Sequence, residues 1–194
     1  MREEIKIRLL QNMLEEITER YDAFISQQQD IINRTFQKAI RDPLTKLYNR
    51  NYLQEYGSNL EKQHQKTMKP FHVIFFDLDN FKQVNDLEGH KSGDFILQKI
   101  AQILKDHFEF DLVFRYGGDE FVVISDSLLE EIKEEIAQLE VEVKEKFKDY
   151  KIGISWGIAT FPDDGTDFRR LLEIADSRMY ERKQRKKRRF FPIF

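Results

Sequence analysis

The stretch VFRYGGDEFVVI, residues 113–124, sets two glycines and two acids between two apolar runs. The flanking runs read as strands, and Gly117-Gly118 reads as the turn of a hairpin between them. A turn needs glycine. It does not need Asp119 and Glu120 beside a buried strand, so these carboxylates call for a partner elsewhere in the chain.

The partner is FHVIFFDLD, residues 71–79, a short apolar run that ends in acids. It reads as a buried strand delivering Asp77 and Asp79 at its C-terminal end. If this strand lies beside the hairpin, Asp77 faces Asp119 or Glu120 across a strand pair. Like charges in that position repel, and a cation between them relieves the repulsion. Carboxylate oxygens with no cysteine available favour a hard ion, Mg²⁺ or Mn²⁺. Mg²⁺ held by one or two carboxylates keeps room for phosphate oxygens, which points to a nucleoside triphosphate and phosphoryl-transfer chemistry. The competing reading is structural: an Asp at a strand end followed by Asn also serves as a helix cap.

NFKQVNDLEGHKSGD, residues 80–94, follows as a short helix and a loop. Lys82 is placed to neutralise a phosphate. Asn85 and Asp94 are polar residues among apolar ones. A carboxylate accepts from the N1–H and amino group of guanine, an amide meets the remaining edge, and adenine lacks those donors. Helix capping is again the structural alternative for both.

The rest of the chain supplies a frame. It has 194 residues, 40% hydrophobic and 35% charged, enough for one domain and an appendage. Without cysteine there is no disulfide framework and no thiolate metal site, in keeping with a cytoplasmic setting. No run of 18 apolar residues offers a membrane span, and the N-terminus is too charged for a signal peptide. Residues 1–41 lack Pro and Gly. They place Ile7, Leu10, Leu14, Ile17, Tyr21, Phe24 and Ile31 on a heptad seam, with Gln28 its polar member. A parallel two-stranded coiled coil is the expectation there, since an isolated helix of this kind is marginal. Pro43 marks the start of a globular domain over 42–184, with a helix expected from about Pro43 to Gln65, interrupted near Gly57. Helices are also expected over 92–108, 128–147 and 166–183, and a strand over 151–161. The pattern predicts an α+β fold, a mainly antiparallel sheet with helices on one face. Residues 185–194 form a tail. The net charge is −3, yet RKQRKKRR at 182–189 holds seven basic residues. Such a run contacts nucleic acid or an anionic membrane, or simply ends a helix favourably.

These motifs together resemble the GGDEF-domain diguanylate cyclases, from Asp42 to Lys183. DPLTKLYNR resembles the family's D-x-L-T-x-L-x-N-R, FFDLDNFKQVND its acidic motif, GHKSGD its GHxxGD segment and RYGGDEF its signature. The block from Gly157 to Lys183 matches the C-terminal segment. The resemblance implies a palm-like, ferredoxin-like fold of the kind found in nucleotide cyclases and polymerases, its sheet flanked by helices. It implies condensation of two GTP into cyclic di-GMP and two pyrophosphates by two domains facing each other in a homodimer. Asp77, the main-chain carbonyl of Leu78, and Asp119 would hold Mg²⁺ or Mn²⁺. Asp119, with Glu120 beside it, would help deprotonate the 3′-hydroxyl. Asn85 and Asp94 would bind guanine, and Lys82, Lys183 and Lys187 would meet phosphates. Gly117 and Gly118 would let the nucleotide approach, and His90 would shape its loop. A catalytically inactive nucleotide receptor is the alternative. The input signal is left to a sensor domain or a partner protein.

The chain also departs from the family. Many members carry an inhibitory product site, R-x-x-D. Here Asp111 holds the Asp position and Phe108 stands where Arg would be, which predicts weak or absent product inhibition. Trp156 and Phe114 are bulkier than usual. The closing RKQRKKRRFFPIF replaces a Gly-Arg-Asn segment.

Overall fold

In the computed structural model, residues 1–190 are described, and they divide into two compact units, Met1–Ile40 and Arg41 onward. The first unit is one helix, α1 (Arg2–Ile40). Leu10, Leu14, Ile17, Tyr21 and Phe24 on its seam are each more than half exposed. The helix thus carries an apolar stripe that nothing within its own unit covers.

The second unit is built on a five-stranded sheet. Its elements are β1 (Tyr48–Asn49), α2 (Arg50–Thr67), β2 (Phe71–Asp79), α3 (Phe81–Glu88), α4 (His90–His107), β3 (Leu112–Gly117), β4 (Glu120–Ser125), α5 (Leu129–Lys146), β5 (Gly153–Phe161) and α6 (Phe168–Phe190). The strand order is β1-β3-β4-β2-β5. Only the β1–β3 pair is parallel; the others are antiparallel.

β2 lies between β4 and β5, and this explains its unbroken apolar run. Ile74, Phe76 and Leu78 join α3, α4 and α5 in one core cluster, while Phe71, Val73 and Phe75 join α2 and α6 in another. A strand covered on both faces needs apolar residues at every position. Helices therefore pack on both faces of the sheet, not on one. The simple alternation of elements does not distinguish the two arrangements, whereas the even and odd residues of β2 do.

Two further expectations change. The helix expected from Pro43 begins instead at Arg50, where the Asn49 side chain caps it by accepting from the Tyr52 amide at 2.9 Å. Asp42 closes a separate turn, accepting from the amide and hydroxyl of Thr45 at 2.8 and 2.7 Å. Gly57 does not interrupt α2. It lies against Phe168 of α6, and a Cβ there would fall 2.1 Å from that ring. The helix keeps its course because the glycine admits a neighbouring aromatic ring.

α6 runs through the basic segment as far as Phe190, so 185–190 continue a helix. The rest of the expected tail, 191–194, lies outside the described residues. Among the described residues no helix is long and apolar enough to cross a membrane.

Candidate active site

The register of β2 against β4 puts Asp77 directly opposite Glu120. Asp119 sits in the turn beside them, and its carbonyl accepts from the Leu78 amide at 3.3 Å. The carboxylates of the apolar run and of the hairpin thus meet at one end of the sheet. Gly118 turns the hairpin at φ +51°, a left-handed conformation that favours glycine. Among the described residues, no atom other than those of the adjacent residues lies within 4 Å of where a Cβ would sit on Gly117 or Gly118, so the surface over the turn is open.

Arg115 braces this turn. Its Nε and Nη2 donate to the Gly118 carbonyl at 3.3 and 2.9 Å, and Nη1 donates to Asp42 at 3.0 Å. The Asp42 turn and the hairpin are therefore one mechanical piece. The Asp-Pro and Arg-Tyr-Gly segments stand far apart in the chain, and neither signals this pairing.

The electrostatics of the strand end are repulsive. Burial pushes the Asp77 carboxyl above its ordinary range; the Lys183 ammonium opposes this, while Asp119 and Asp79 add to it. Burial likewise pushes Glu120 up, and Asp77, Asp119 and Asp176 of α6 push it further. The nearest cation is Lys183, which donates to Asp77. Next along α6, Lys186 donates to Glu140 at 3.1 Å and to Asp79 at 3.4 Å. The sequence places Lys183 among phosphate contacts; the structure shows it paired with a strand-end carboxylate.

Neither strand-end acid caps a helix. Asp79 accepts from the Ser155 hydroxyl at 2.7 Å, and α3 begins after Asn80, with no side-chain cap. The capping reading of Asn85 and Asp94 also falls away. α4 begins after Gly89 without a side-chain cap, and the Asn85 main-chain carbonyl, not its amide, accepts from Gly89. Gly93 lets the Asn85 side chain lie close against α4, since a Cβ there would fall 2.0 Å from Asn85 Oδ1. Among the described residues neither side-chain amide nor carboxylate of this pair has a hydrogen-bond partner. Lys82, in the first turn of α3, and His90, the first residue of α4, are exposed, as is Lys187, one turn beyond Lys183.

A divalent cation fits the donor set. Asp77 and Asp119 offer carboxylates and Leu78 a carbonyl, all hard oxygens. Among the described residues no three His, Asp or Glu side chains gather into a cage. Two carboxylates and a carbonyl are the hard-oxygen donors that Mg²⁺ takes, its shell being completed by water and substrate phosphate.

Phe108 stands at the end of α4, buried, with its ring 6.0 Å from that of Phe76. Burial raises the Asp111 carboxyl, which Ser125 partly offsets by hydrogen bonding. Phe114 is enclosed by Tyr48, Tyr52 and Tyr56 at 5.5, 6.3 and 6.3 Å. The Arg182 guanidinium lies 3.5 Å over the Trp156 ring. A groove of about 790 Å³ runs along the outer side of β5 between α5 and α6, and its lining includes neither Asp77 nor Asp119.

Comparison with known proteins gives the family. The family described as "Diguanylate cyclase, GGDEF domain" matches residues 39–189. Diguanylate cyclase DosC of Escherichia coli K12 is 34% identical over 181 residues, 85% of this chain and 38% of that protein. The chain thus spans well under half the length of this curated relative. Among solved structures, the coiled coil and GGDEF domain of DgcB from Caulobacter crescentus, in complex with c-di-GMP, superimposes with a TM-score of 0.77 at 22% identity, covering 88% of this chain and 94% of that one. Diguanylate cyclase SiaD of Pseudomonas aeruginosa, with its activator SiaC, gives 0.69 at 25% identity, covering 93% and 72%. The chain belongs to the GGDEF-domain diguanylate cyclase family.

Proposed function

We propose that this chain is a diguanylate cyclase that joins two GTP into cyclic di-GMP. The observation that carries the reading is the meeting of Asp77, Asp119 and Glu120 at the end of β2, where Lys183 only partly offsets their mutual repulsion. In each of two equivalent steps the 3′-oxygen of one GTP forms a bond to the α-phosphorus of the other. The bond from that phosphorus to the β-phosphate bridging oxygen breaks, and pyrophosphate leaves. The 3′-hydroxyl proton passes to Asp119 or, through solvent, away from the site.

Asp77, Asp119 and the Leu78 carbonyl would hold Mg²⁺ or Mn²⁺. The ion supplies charge neutralisation for the phosphates and acidifies an oxygen bound to it. Asn85 and Asp94, free of local hydrogen bonds, read the guanine edge. Lys82, Lys183 and Lys187 meet phosphate oxygens; Lys183 exchanges its Asp77 contact for one of them. His90 shapes the turn that carries Asp94. Glu120 keeps the negative potential at the strand end.

Each domain holds one GTP, so two must face each other. The exposed seam of α1 fits a parallel coiled coil with a second copy, which raises the local concentration of one domain near the other. Buried Phe108 offers no guanidinium for product phosphate, which supports weak product inhibition at the Asp111 position. Incubation with GTP and Mg²⁺, followed by nucleotide separation and mass spectrometry, tests the reading. Cyclic di-GMP with two pyrophosphates per product is expected. No product at any protein concentration rejects it.

A further inference from the structure

Arg178, Arg182 and Lys186 recur at intervals of four along α6, so they share one line on the helix. Each donates to an outward carbonyl of β5. Arg178 reaches Ile158 at 2.7 Å, Arg182 reaches Trp156 at 3.1 Å, and Lys186 reaches Ile154 at 2.5 Å. β5 is an edge strand, and among the described residues no strand neighbours these carbonyls. The first two rungs finish locally: Arg178 closes on Asp164 and Arg182 lies over Trp156.

The third rung reaches the strand end. Besides the Ile154 carbonyl, the Lys186 ammonium donates to Glu140 of α5 at 3.1 Å and to Asp79 of β2 at 3.4 Å. Asp79 is itself held by Ser155 of β5 at 2.7 Å. One ammonium therefore ties α6 to β2, α5 and β5. Lys183 stands three residues earlier on the same face and pairs with Asp77, two residues before Asp79.

We propose that Lys186 is a positioning residue, which locks the last turns of α6 onto the end of β2 and so presents Lys183 to the nucleotide site. The proposal rests on the reading of Lys183 as a phosphate contact. A lysine head on a four-carbon stem samples many positions. Fixing its backbone keeps it within reach of both Asp77 and a bound triphosphate, and a frayed turn would not.

The test compares Lys186→Met, Lys186→Arg and Arg185→Met. Lys186→Met keeps the stem and loses the ammonium. Arg185→Met removes the same charge from a side chain that is 80% exposed one residue away. The readouts are affinity for a non-hydrolysable GTP analogue with Mg²⁺, amide hydrogen exchange, and the kcat and KM of cyclisation. Lys186→Met is expected to weaken analogue binding about fivefold and raise KM alike, with kcat within about twofold. Exchange should quicken at 183–187 and stay slow in β2 and β4. Arg185→Met should match the parent, and Lys186→Arg should recover most of the loss. The proposal is overturned if Lys186→Met and Arg185→Met behave alike, if affinity falls without faster exchange in α6, or if β2 and β4 lose protection as well. Binding and exchange are read without turnover. A parent chain that binds the analogue but makes no product therefore sinks the cyclase reading and leaves this one standing, and a parent that does not bind it overturns both.

Discussion

Asp42 and Asp164 each lie against an arginine, and both carboxyls titrate below the ordinary aspartate range. Burial works against Asp42, but hydrogen bonds from Thr45 and Arg115 outweigh it; Arg178 does the same for Asp164 through paired contacts. Asp77 and Glu120 lie at the other extreme: burial lifts both, Asp119 and Asp79 lift Asp77 further, Asp77, Asp119 and Asp176 lift Glu120 further, and Lys183 opposes. The chain has the means to satisfy a buried acid and uses it at the Asp42 turn and at the β5 edge. At the end of β2 it leaves repulsion in place. Acids left raised amid well-paired neighbours are the observation behind the proposed cation site. The α1 seam has the same character in apolar form, a stripe that its own unit leaves open.

The contrast breaks most visibly in turnover. Asp119→Ala should lower cyclic di-GMP formation by more than about a hundredfold, while the fold, followed by circular dichroism, is unchanged. Charged residues in place of Leu14 and Ile17 should lower specific activity roughly tenfold in dilute protein and restore it at high concentration. Equal activity of that variant and the parent in dilution would show that α1 does not bring the domains together. Asp42→Ala is expected to act on stability instead. It strands the Arg115 head, and denaturant unfolding should show a loss of about 1–3 kcal/mol.

The smallest effect is in pH dependence, and its sign separates the two regions. A lowered carboxyl adds stability above its ordinary pKa and loses it as pH falls, so the penalty of Asp42→Asn should shrink below about pH 4. A raised carboxyl binds its proton more tightly when folded, so it costs stability as pH rises through its elevated range. Glu120→Gln should therefore gain on the parent as pH rises from mildly acidic to neutral, by under about 1 kcal/mol. Parallel unfolding curves for the two variants would erase the distinction.

The apolar runs and the hairpin make the pairing of β2 with the hairpin legible, and with it the facing of Asp77 and Glu120, because strand periodicity and a glycine turn are local signals; β1 at Tyr48–Asn49 carries no such signal. The two-sided covering of β2 was legible only in its continuous apolar run. The start of α2 is not legible, because Pro43 suits a first helical turn, while the actual cap, Asn49, lies beyond a turn closed by Asp42. The partners of Lys183 and Arg115 were hidden, since side chains so far apart in the chain leave no trace in spacing. The recurrence of Arg178, Arg182 and Lys186 was readable, but within a basic run it looked like a solvated helix end.

The repulsion at the strand end is tested most directly by thermal unfolding of the parent and Asp119→Asn, each in chelator and in Mg²⁺ with a non-hydrolysable GTP analogue. A crossing is expected. In chelator the variant should melt higher, by about 2 °C, because one repelling charge is gone. With metal and nucleotide the parent should melt higher, because the ligand supplies what the cluster lacks. A variant that melts no higher than the parent in chelator, or gains as much from the ligand, would contradict it.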